Sequence, residues 1–494
     1  MAEVTNEENE SRTTRRAVEL FDQKVKRVFD SYVVRKELVQ AHEMARLPRF
    51  ISEYLIAKFY LEGEPTQEEI RKLQDFVMIH FPELRDKDKI LHDIMTRGNY
   101  TLMDEFKVET DIKAARYRLI IPCLNVRDAK ILPVILDENT DLLRSGMWGM
   151  ATLRYVPEES LMASSDSTPV LMSKFTPFEV INVHLTEFAQ KRRQFTRSEW
   201  IDLLVKSVGI NPEAYDGHQK LLLLLRLVPL VESNCNALEL GPKATGKTYL
   251  YRNISYSTRL ISGGKVSPAT LFYNIATKTV GEIGVRDCVV LDEIGKLVFA
   301  NSEEMIGKLK DYMVDGFFER GPKKAQARAS LVFMGNMELT NSPSNTVHIV
   351  AALPVFMRDS ALLDRIHSFI PGWELPKIMQ SSDHLASGYG IVVDYLSEIF
   401  HQLSIQGTYS DLISERVQIE SSGDKGVTIR DEKAIKKVAS GMLKLLCPDR
   451  NCEDDDLSLA MKVAVDARQR VNSILNLLSP EEFSHERKII FTIL

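Results

Sequence analysis

The feature that most constrains this chain is a glycine-rich segment that follows a strand-like run and precedes a helix-like run. It fits the pattern GxxxxGK[ST] and consists of Gly241, Pro242, Lys243, Ala244, Thr245, Gly246, Lys247 and Thr248. Glycines let backbone N–H groups turn inward around phosphate oxygens, and the following helix presents its positive end to the same anion. The alternative is a chance glycine turn, at odds of about one in a hundred over this length. The segment therefore predicts a phosphate-binding loop in an α/β fold.

Two side chains of this loop carry its chemistry. The lysine of such a loop, here Lys247, reaches the β- and γ-phosphates, and the final hydroxyl, here Thr248, ligates Mg²⁺. The predicted cofactors are therefore ATP and Mg²⁺.

A second motif is the apolar run that begins at Asp287 and ends in two acids, Asp292 and Glu293. In phosphate-loop enzymes a carboxylate at such a strand end holds Mg²⁺, so Asp292 is the predicted metal ligand. Glu293 is placed to polarise a water for attack on the γ-phosphate, which favours hydrolysis over nucleotide binding alone. In isolation an acidic pair is more often a solvated helix start, because acids suit helix N-termini. Its position after a phosphate loop makes us favour the catalytic interpretation.

A third strand-like run, Leu331–Asn336, also ends in a polar side chain. In a sheet covered by helices, Asn336 would lie between the two earlier strand ends and orient the attacking water. The alternative is an ordinary asparagine turn.

An arginine follows this part of the chain, within Leu362–Leu–Asp–Arg365–Ile–His. Arginine fingers stabilise the charge that develops on a transferring phosphoryl group, and Arg365 would reach the nucleotide of a neighbouring subunit. A lone arginine beside an aspartate is more often part of a surface ion pair, so this prediction depends on the other motifs.

The distribution of apolar residues predicts three parts. Helical spacing persists to about residue 100, and short β-prone runs then indicate a small sheet or barrel. A segment rich in Ser, Pro and Asp, Pro157–Pro177, is the predicted linker. Strands without polar alternation follow, which is typical of a parallel sheet covered by helices. The predicted boundaries are 1–165 for the N-terminal domain, 178–375 for the core and 376–494 for a helical lid.

The composition of the chain limits how it could bind DNA and indicates where in the cell it acts. The chain has 69 acidic residues against 63 Lys plus Arg, a net charge of −6, so any contact with DNA must be local. Five scattered cysteines show no CxxC spacing, and the polar N-terminus has no signal-peptide core. The run Leu221–Val231 is about half the length needed to cross a bilayer and is interrupted by Arg226. We therefore expect a cytoplasmic protein without a membrane segment.

The four motifs in this order resemble the AAA+ ATPases, and residues 238–375 carry the resemblance. Ala361–His367 is similar to the arginine-finger segment of the minichromosome-maintenance and Lon-like branches. Two inserted segments, Gly263–Gly284 and Asp315–Arg328, are similar to hairpins that project into the pore of ring helicases. The resemblance implies an α/β fold with an AAA+ P-loop ATPase core, a mixed helical and β N-terminal domain and a C-terminal helical lid.

A closer resemblance covers most of the chain. Four segments resemble the BrxL family, the Lon-like AAA+ ATPases of the phage-exclusion systems called BREX: Phe29–Val39, Glu53–Leu55, Ser145–Gly149 and Phe369–Pro376. The resemblance implies a homo-oligomeric ring, a hexamer or heptamer and possibly stacked, that binds double-stranded DNA in phage defence with other phage-exclusion components. It also implies DNA binding or ring contacts for the N-terminal domain.

Members of that family commonly carry a C-terminal domain similar to the Lon protease. Here the last long helical pattern ends near Leu478, and Ser484 and Lys488 are too close to the end to be embedded in a core. We therefore expect a short form without protease activity.

Basic residues near the tip of the second inserted segment are the candidate DNA contacts: Lys323, Lys324 and Arg328. A closed ring would repeat these charges around its pore and so bind phosphate backbones without reading bases. The alternative is a solvated turn.

The resemblance to AAA+ lids, which often carry an arginine that touches the γ-phosphate, makes Arg468 and Arg470 candidates for that contact. Arginines are also common on solvated helix surfaces, so both interpretations stay open.

Two other functions compete with a DNA motor. A protein-remodelling ATPase would thread polypeptide, usually with an aromatic pore loop, whereas this tip reads Gly-Pro-Lys-Lys. A nucleotide-gated scaffold would need no water-activating acid, so Glu293 argues against it.

Overall fold

The computed structural model divides into two compact units: one holds the residues up to Glu37 together with Val183–Leu494, and the other is Leu38–Asn182. The described residues are 16, 18–40, 44, 47–60, 65–112, 114–143, 146–157, 168–178, 183–255, 257–337, 346–378, 382–422, 426–483 and 488–494. Ser145 and Ser484, which we named from the sequence, lie outside the described residues. The first strand of the chain, β1 (Val33–Arg35), belongs to the larger unit.

The smaller unit consists of helices followed by a closed barrel. Its elements are α1 (Arg49–Phe59), α2 (Gln67–His80), α3 (Lys87–Arg97), β2 (Asn99–Asp111), β3 (Arg116–Ile121), β4 (Val126–Ile131), α4 (Pro133–Glu138), β5 (Met147–Tyr155) and β6 (Val170–Pro177). The barrel closes in the order β2-β3-β4-β6-β5. Alternate residues of β5 point inward, and the buried Ala151 and Leu153 contribute to its core.

The predicted linker Pro157–Pro177 is wrong in its second half. Residues 170–177 form β6, which pairs with β5 along most of its length, and Val170 and Met172 are buried in the barrel core. The Ser, Pro and Asp content before β6 obscured its short apolar alternation. The first half of the predicted linker lies largely outside the described residues.

The larger unit is an α/β structure. Its helices are α5 (Leu185–Arg192), α6 (Arg197–Ser207), α7 (Gly217–Leu225), α8 (Val228–Val231), α9 (Lys247–Asn253), α10 (Pro268–Leu271), α11 (Ser302–Asp315), α12 (Thr346–Ala352), α13 (Ser360–Leu363), α14 (Val393–Ile405), α15 (Ser410–Arg416), α16 (Ile429–Leu446) and α17 (Asp454–Leu478). Its later strands are β7 (Ala237–Gly241), β8 (Thr258–Val266), β9 (Tyr273–Asn274), β10 (Thr279–Val280), β11 (Cys288–Phe299), β12 (Phe317–Arg320), β13 (Lys323–Gln326), β14 (Ser330–Asn336), β15 (Ser368–Pro371), β16 (Tyr389–Ile391), β17 (Val417–Ser421) and β18 (Ile489–Ile493).

A five-stranded parallel sheet forms the centre of this unit, in the order β15-β7-β14-β11-β8. Every residue of β7 is buried, as are the first six of β14, because helices cover both faces of the sheet. This confirms the predicted α/β fold. Because β14 lies between β7 and β11, the carboxyl ends of these three strands are adjacent.

From the sequence we predicted that this strand would end at its acidic pair. That prediction is wrong, because β11 continues to Phe299. Its pairing with β14 stops at Leu291, but its pairing with β8 resumes at Leu297 after an irregularity that begins at Asp292. Leu297 and Phe299 are buried, so the extension has apolar anchors of its own. The acids therefore lie at a break within a long strand.

Both inserted segments contain a hairpin. In the first, β9 pairs with β10 in antiparallel fashion, whereas Gly263–Val266 belongs to β8. In the second, β12 pairs with β13, and Arg320 opposes Lys323 across a two-residue turn. Gly321 begins that turn with a φ of 58°, a conformation that favours glycine.

Where the structure describes the chain after residue 376, it contains α14–α17 together with β16, β17 and β18. The predicted helical patterns Ala434–Leu446 and Leu457–Leu478 lie within α16 and α17. Strand β16 pairs with β1, so residues near the N-terminus lie in the larger unit, whereas our predicted boundary assigned all of 1–165 to one domain. No helix in the described part of the chain is both long and apolar enough to cross a membrane.

Candidate active site

The predicted phosphate loop connects β7 to α9. Gly246 has a φ of 77° and Ala244 a φ of 66°, so the backbone turns sharply before the helix begins. A Cβ on Gly241 would lie 2.6 Å from the carbonyl carbon of Gly372, so only glycine fits there. The backbone N–H of Ile378 donates to the Ala244 carbonyl at 2.7 Å, so the segment after β15 runs along the loop.

Lys247 lies against the inner side of its own loop. Its Nζ donates to the carbonyl oxygens of Gly241 at 3.0 Å and Pro242 at 2.6 Å, and only 5% of the residue is exposed. Burial lowers the pKa of Lys247 below its ordinary value. The ammonium group is therefore held by carbonyl dipoles at the mouth of the loop.

A buried ion pair that we did not predict supports the loop. Arg226 and Glu239 have no exposed surface, and Arg226 Nε lies 3.1 Å from Glu239 Oε2. Arg226 Nη1 also donates to the Thr245 carbonyl at 2.9 Å. In the sequence, the signal was two charged residues, each inside an otherwise apolar run. A buried charge is costly unless it is paired, so two such residues near one loop indicate a pair.

The predicted metal ligands are in direct contact. Thr248 Oγ1 donates to Asp292 Oδ2 at 2.8 Å, and Asp292 Oδ1 accepts the backbone N–H of Glu293 at 2.8 Å. Only 5% of Asp292 is exposed. Mg²⁺ in nucleotide sites is usually held by one or two protein oxygens plus phosphates and water, and this pair fits that donor set. Among the described residues, no group of three or more His, Cys, Asp or Glu is arranged to hold a metal.

Glu293 lies at the break in β11 and has a φ of 50°, which is rare for a residue with a side chain. Its carboxylate is about one-third exposed and pairs with Lys296, whose Nζ lies 3.2 Å from Glu293 Oε2. This ion pair was not predicted. The left-handed backbone turns Glu293 out of the strand, next to Asp292.

Asn336 ends β14 in register with Gly241 of β7. The next backbone N–H, that of Met337, donates to the Gly241 carbonyl at 3.0 Å, and the side chain of Asn336 is exposed. The structure therefore brings Asn336 to the phosphate loop, between β7, which leads into the loop, and β11, which contains Asp292.

Arg365 lies at the other end of the sheet. Asn236 Nδ2 donates to the Arg365 carbonyl at 3.4 Å, and Asn236 immediately precedes β7. From Asn236 to Gly241 the strand extends on the order of 16 Å, at about 3.3 Å per residue, which is longer than an arginine side chain. Arg365 is therefore not brought to the phosphate loop of its own chain.

The structure separates the two candidate arginines of α17, Arg468 and Arg470. Arg468 is fully buried and donates to Asp431, to the carbonyls of Asp364 and Ile366 and to the Asp364 carboxylate. These partners lie at the amino end of β15, so the predicted nucleotide contact is not supported for Arg468.

Arg470 instead binds Glu374 Oε1 at 2.9 Å and Asp466 Oδ2 at 2.8 Å. Glu374 follows Gly372, which packs against Gly241 of the phosphate loop. Of the two candidates, Arg470 is therefore the one on the side of the predicted nucleotide site.

The predicted DNA contacts lie on the second hairpin. Lys323 and Lys324 begin β13 and are exposed, and Arg328 follows the strand with an exposed side chain. Phe317, at the start of β12, is also 44% exposed.

The parallel sheet, its glycine-rich loop and the Thr248–Asp292 contact together define an α/β protein with an ATPase-like site. Residues 170–488 match the family model described as Lon-like protease BrxL-like, ATPase domain, and residues 27–155 match BREX system Lon protease-like protein BrxL N-terminal. The chain belongs to the BrxL family.

Two curated relatives agree with this assignment. Lon-like protease BrxL of Escherichia coli O9:H4 (strain HS) is 31% identical over 459 residues, which cover 92% of this chain and 64% of that protein. Lon-like protease BrxL of Bacillus cereus (strain H3081.97) is 32% identical over 460 residues, which cover 92% of this chain and 66% of that protein. The chain thus spans somewhat less than two thirds of the length of each relative.

Proposed function

We propose that this chain is an AAA+ P-loop ATPase that hydrolyses ATP with Mg²⁺ and acts on double-stranded DNA in phage defence. The contact of Thr248 with Asp292, with Glu293 next in the chain, is the observation that carries the proposal. In this proposal the Thr248 hydroxyl and the Asp292 carboxylate bind the metal beside the phosphate loop, and Glu293 supplies the water-activating carboxylate.

Each residue has one role in the proposed reaction. Lys247 leaves its carbonyl partners to bind the β- and γ-phosphates, and Gly241–Gly246 offers backbone N–H groups to the same oxygens. Thr248 and Asp292 hold Mg²⁺, which when bound neutralises charge on the phosphates. Glu293 accepts a proton from the attacking water, and Asn336 orients that water.

The position of Arg365 supports the assembly of several copies into a ring. Because it lies on the order of 16 Å along β7 from its own loop, at about 3.3 Å per residue, we assign it to the site of the next subunit. Each site is then complete only at an interface between copies, which a closed homo-oligomeric ring, hexameric or heptameric, provides at every position. Stacking of two rings and ring contacts by the N-terminal domain remain part of this proposal.

The second hairpin supports DNA as the substrate. Lys323, Lys324 and Arg328 are exposed basic residues on or just after the second hairpin, in a chain whose net charge is −6. Repeated around a ring, these residues would attract phosphates without reading bases. We further propose that Arg470 senses the nucleotide, that the protein acts in the cytoplasm, and that other phage-exclusion components are its partners.

A second candidate function is the threading of polypeptide. The exposed Phe317 on the same hairpin favours it, because an aromatic side chain in a pore grips apolar segments. The relatives are named proteases, but our proposal for this chain is ATP hydrolysis.

The test is phosphate release by the purified chain with and without Mg²⁺, in the presence of duplex DNA or an unfolded polypeptide. We expect release only with Mg²⁺ and stimulation by duplex DNA. Stimulation by polypeptide alone would favour threading, and no release under any condition would reject the ATPase proposal.

A further inference from the structure

Arg468 donates hydrogen bonds to the backbone on both sides of Arg365. Its Nη1 donates to the Asp364 carbonyl at 3.1 Å and to the Ile366 carbonyl at 2.6 Å. Its Nη2 donates to Asp364 Oδ1 at 2.7 Å and its Nε to Asp431 Oδ1 at 2.9 Å. One buried guanidinium therefore holds the backbone carbonyls of the residues immediately before and after Arg365.

Because the guanidinium group is planar, these hydrogen bonds set a specific orientation of the backbone. Its donors have a fixed fork geometry, so several acceptors are held in one relative orientation, which a lysine ammonium on a flexible stem cannot reproduce. Arg468 has no exposed surface, so water does not compete for these bonds. The backbone direction at Arg365 is thereby set by contacts to another element, α17.

The side chain of Arg365 is only partly hydrogen-bonded. Its Nη1 donates to the Ala361 carbonyl, but its Nε is shielded from water and has no hydrogen-bond partner among the residues that the structure describes. A shielded donor without a partner is destabilising, so the surroundings must hold the segment in place. The bonds from Arg468 hold the carbonyls on both sides of Arg365, and Asn236 Nδ2 donates to the carbonyl of Arg365 itself.

The two longest helices after residue 376, α16 and α17, both contribute contacts to the segment that contains Arg365. Asp431 lies in the first turn of α16 and accepts from Arg468 of α17, and Asp364 Oδ2 accepts from Arg430 Nη1 of α16. Two residues beyond Arg468 on α17, Arg470 reaches Glu374 near the phosphate loop. A single helix thus contacts the loop side of its own sheet and the segment that presents Arg365.

We propose that Arg468 is a positioning residue that orients Arg365 toward the nucleotide of the neighbouring subunit. The inference rests on the proposed function, in which Arg365 acts across an interface. It replaces the sequence-based expectation that Arg468 is a candidate for contact with the γ-phosphate, and it predicts that Arg468 affects only the neighbour's site.

The test uses the substitution Arg468→Lys in this chain. Lysine keeps the buried positive charge but lacks the forked arrangement of guanidinium donors. We expect kcat to fall about a hundredfold, the usual consequence of a misplacement of about 1 Å, while ATP affinity changes less than about twofold. In rings mixed with Glu293→Gln subunits, activity should return. An Arg468→Lys subunit retains Glu293 and receives an intact Arg365 from a Glu293→Gln neighbour.

The mixed rings separate the two roles of Arg468. If it contacts its own γ-phosphate, no mixing ratio restores activity, and the inference is overturned. The double variant Arg365→Ala with Arg468→Lys should be no slower than Arg365→Ala alone, because Arg468 acts only through Arg365; a further loss would contradict us. Arg450→Lys, the same change in an ion pair with Asp411, is the matched control and should leave the rate unchanged.

Failure of the inference can be told apart from failure of the proposed function. If Arg365→Ala hydrolyses ATP at the wild-type rate, the proposed finger is wrong. If Arg365→Ala is rescued by mixing but Arg468→Lys is not, only the positioning role is wrong. Should Arg468→Lys fail to fold, Asp364→Asn removes the charge that Arg468 binds but keeps an acceptor. Its smaller loss of kcat should be rescued in the same mixture, and absence of rescue would overturn the inference.

Discussion

Thr248 Oγ1 and Asp292 Oδ2 are 2.8 Å apart, although they lie on different elements, the helix after the phosphate loop and the long strand β11. This hydrogen bond aligns two oxygens of the kind that Mg²⁺ prefers, at the carboxyl edge of a parallel sheet. The metal dependence of the proposed ATP hydrolysis is therefore the property most directly linked to the observed geometry.

Thr248→Val should raise the Mg²⁺ concentration needed for half-maximal ATPase activity at least about tenfold, because the shape is retained while one metal ligand is lost. Loss of the single hydrogen bond should lower the free energy of unfolding by only about 1 kcal/mol. Thr248→Ser keeps the hydroxyl and is the control. The measurement is a Mg²⁺ titration of phosphate release, and equal midpoints for Val and Ser would contradict the assignment.

Arg226→Met should destabilise the larger unit by about 3–5 kcal/mol, because Glu239 would remain buried without its partner. Replacing both residues, as Arg226→Met with Glu239→Leu, should recover most of that stability. It should not recover ATP affinity, since the Thr245 carbonyl loses its donor in both variants. Urea unfolding and nucleotide binding, measured on the same samples, check this; full affinity in the double variant would show that the pair does not shape the loop.

Arg365→Ala should lower the hydrolysis rate on the order of 10³-fold, the lower end of the range for arginine fingers, without weakening ATP binding. Rings mixed with Glu293→Gln subunits should recover activity at interfaces that combine an intact Arg365 with an intact Glu293. The measurement is phosphate release across mixing ratios. Complete absence of activity at every ratio would argue against a role across the interface.

Lys323→Ala with Lys324→Ala should weaken binding to duplexes of unrelated sequence to a similar extent and should flatten the dependence of affinity on salt, because fewer counterions are released. The effect is repeated by every subunit of a ring. Lys433→Ala with Lys462→Ala, which removes two other exposed lysines, is the control. If the salt slope matches wild type, the DNA path lies elsewhere and threading of polypeptide becomes the better account.

The parts of the site that depend on local sequence were predictable. The spacing around Lys247 and the strand before Asn336 each define a strand end, and the apolar run before Asp292 defines the point at which β11 stops pairing with β14. A parallel sheet brings these points together at one edge. The second hairpin was predictable for the same reason, because Gly321 and Pro322 define a turn.

Other parts depend on contacts between distant segments. Arg468 and Arg470 are close in sequence, yet one is buried against Asp364 and the other reaches Glu374. Periodicity places both on a helix but does not say what packs against each face. The same holds for β6, whose short alternation follows a polar stretch, and for β1, which pairs with the distant β16.

The central claim is that Glu293 activates water for ATP hydrolysis at this site. Its most direct test is Glu293→Gln, assayed for both ATP binding and phosphate release, since glutamine keeps the shape but cannot accept the proton. We predict that binding is retained while release falls by about 10²–10⁴-fold, the usual contribution of a general base. Wild-type phosphate release by Glu293→Gln would contradict the account.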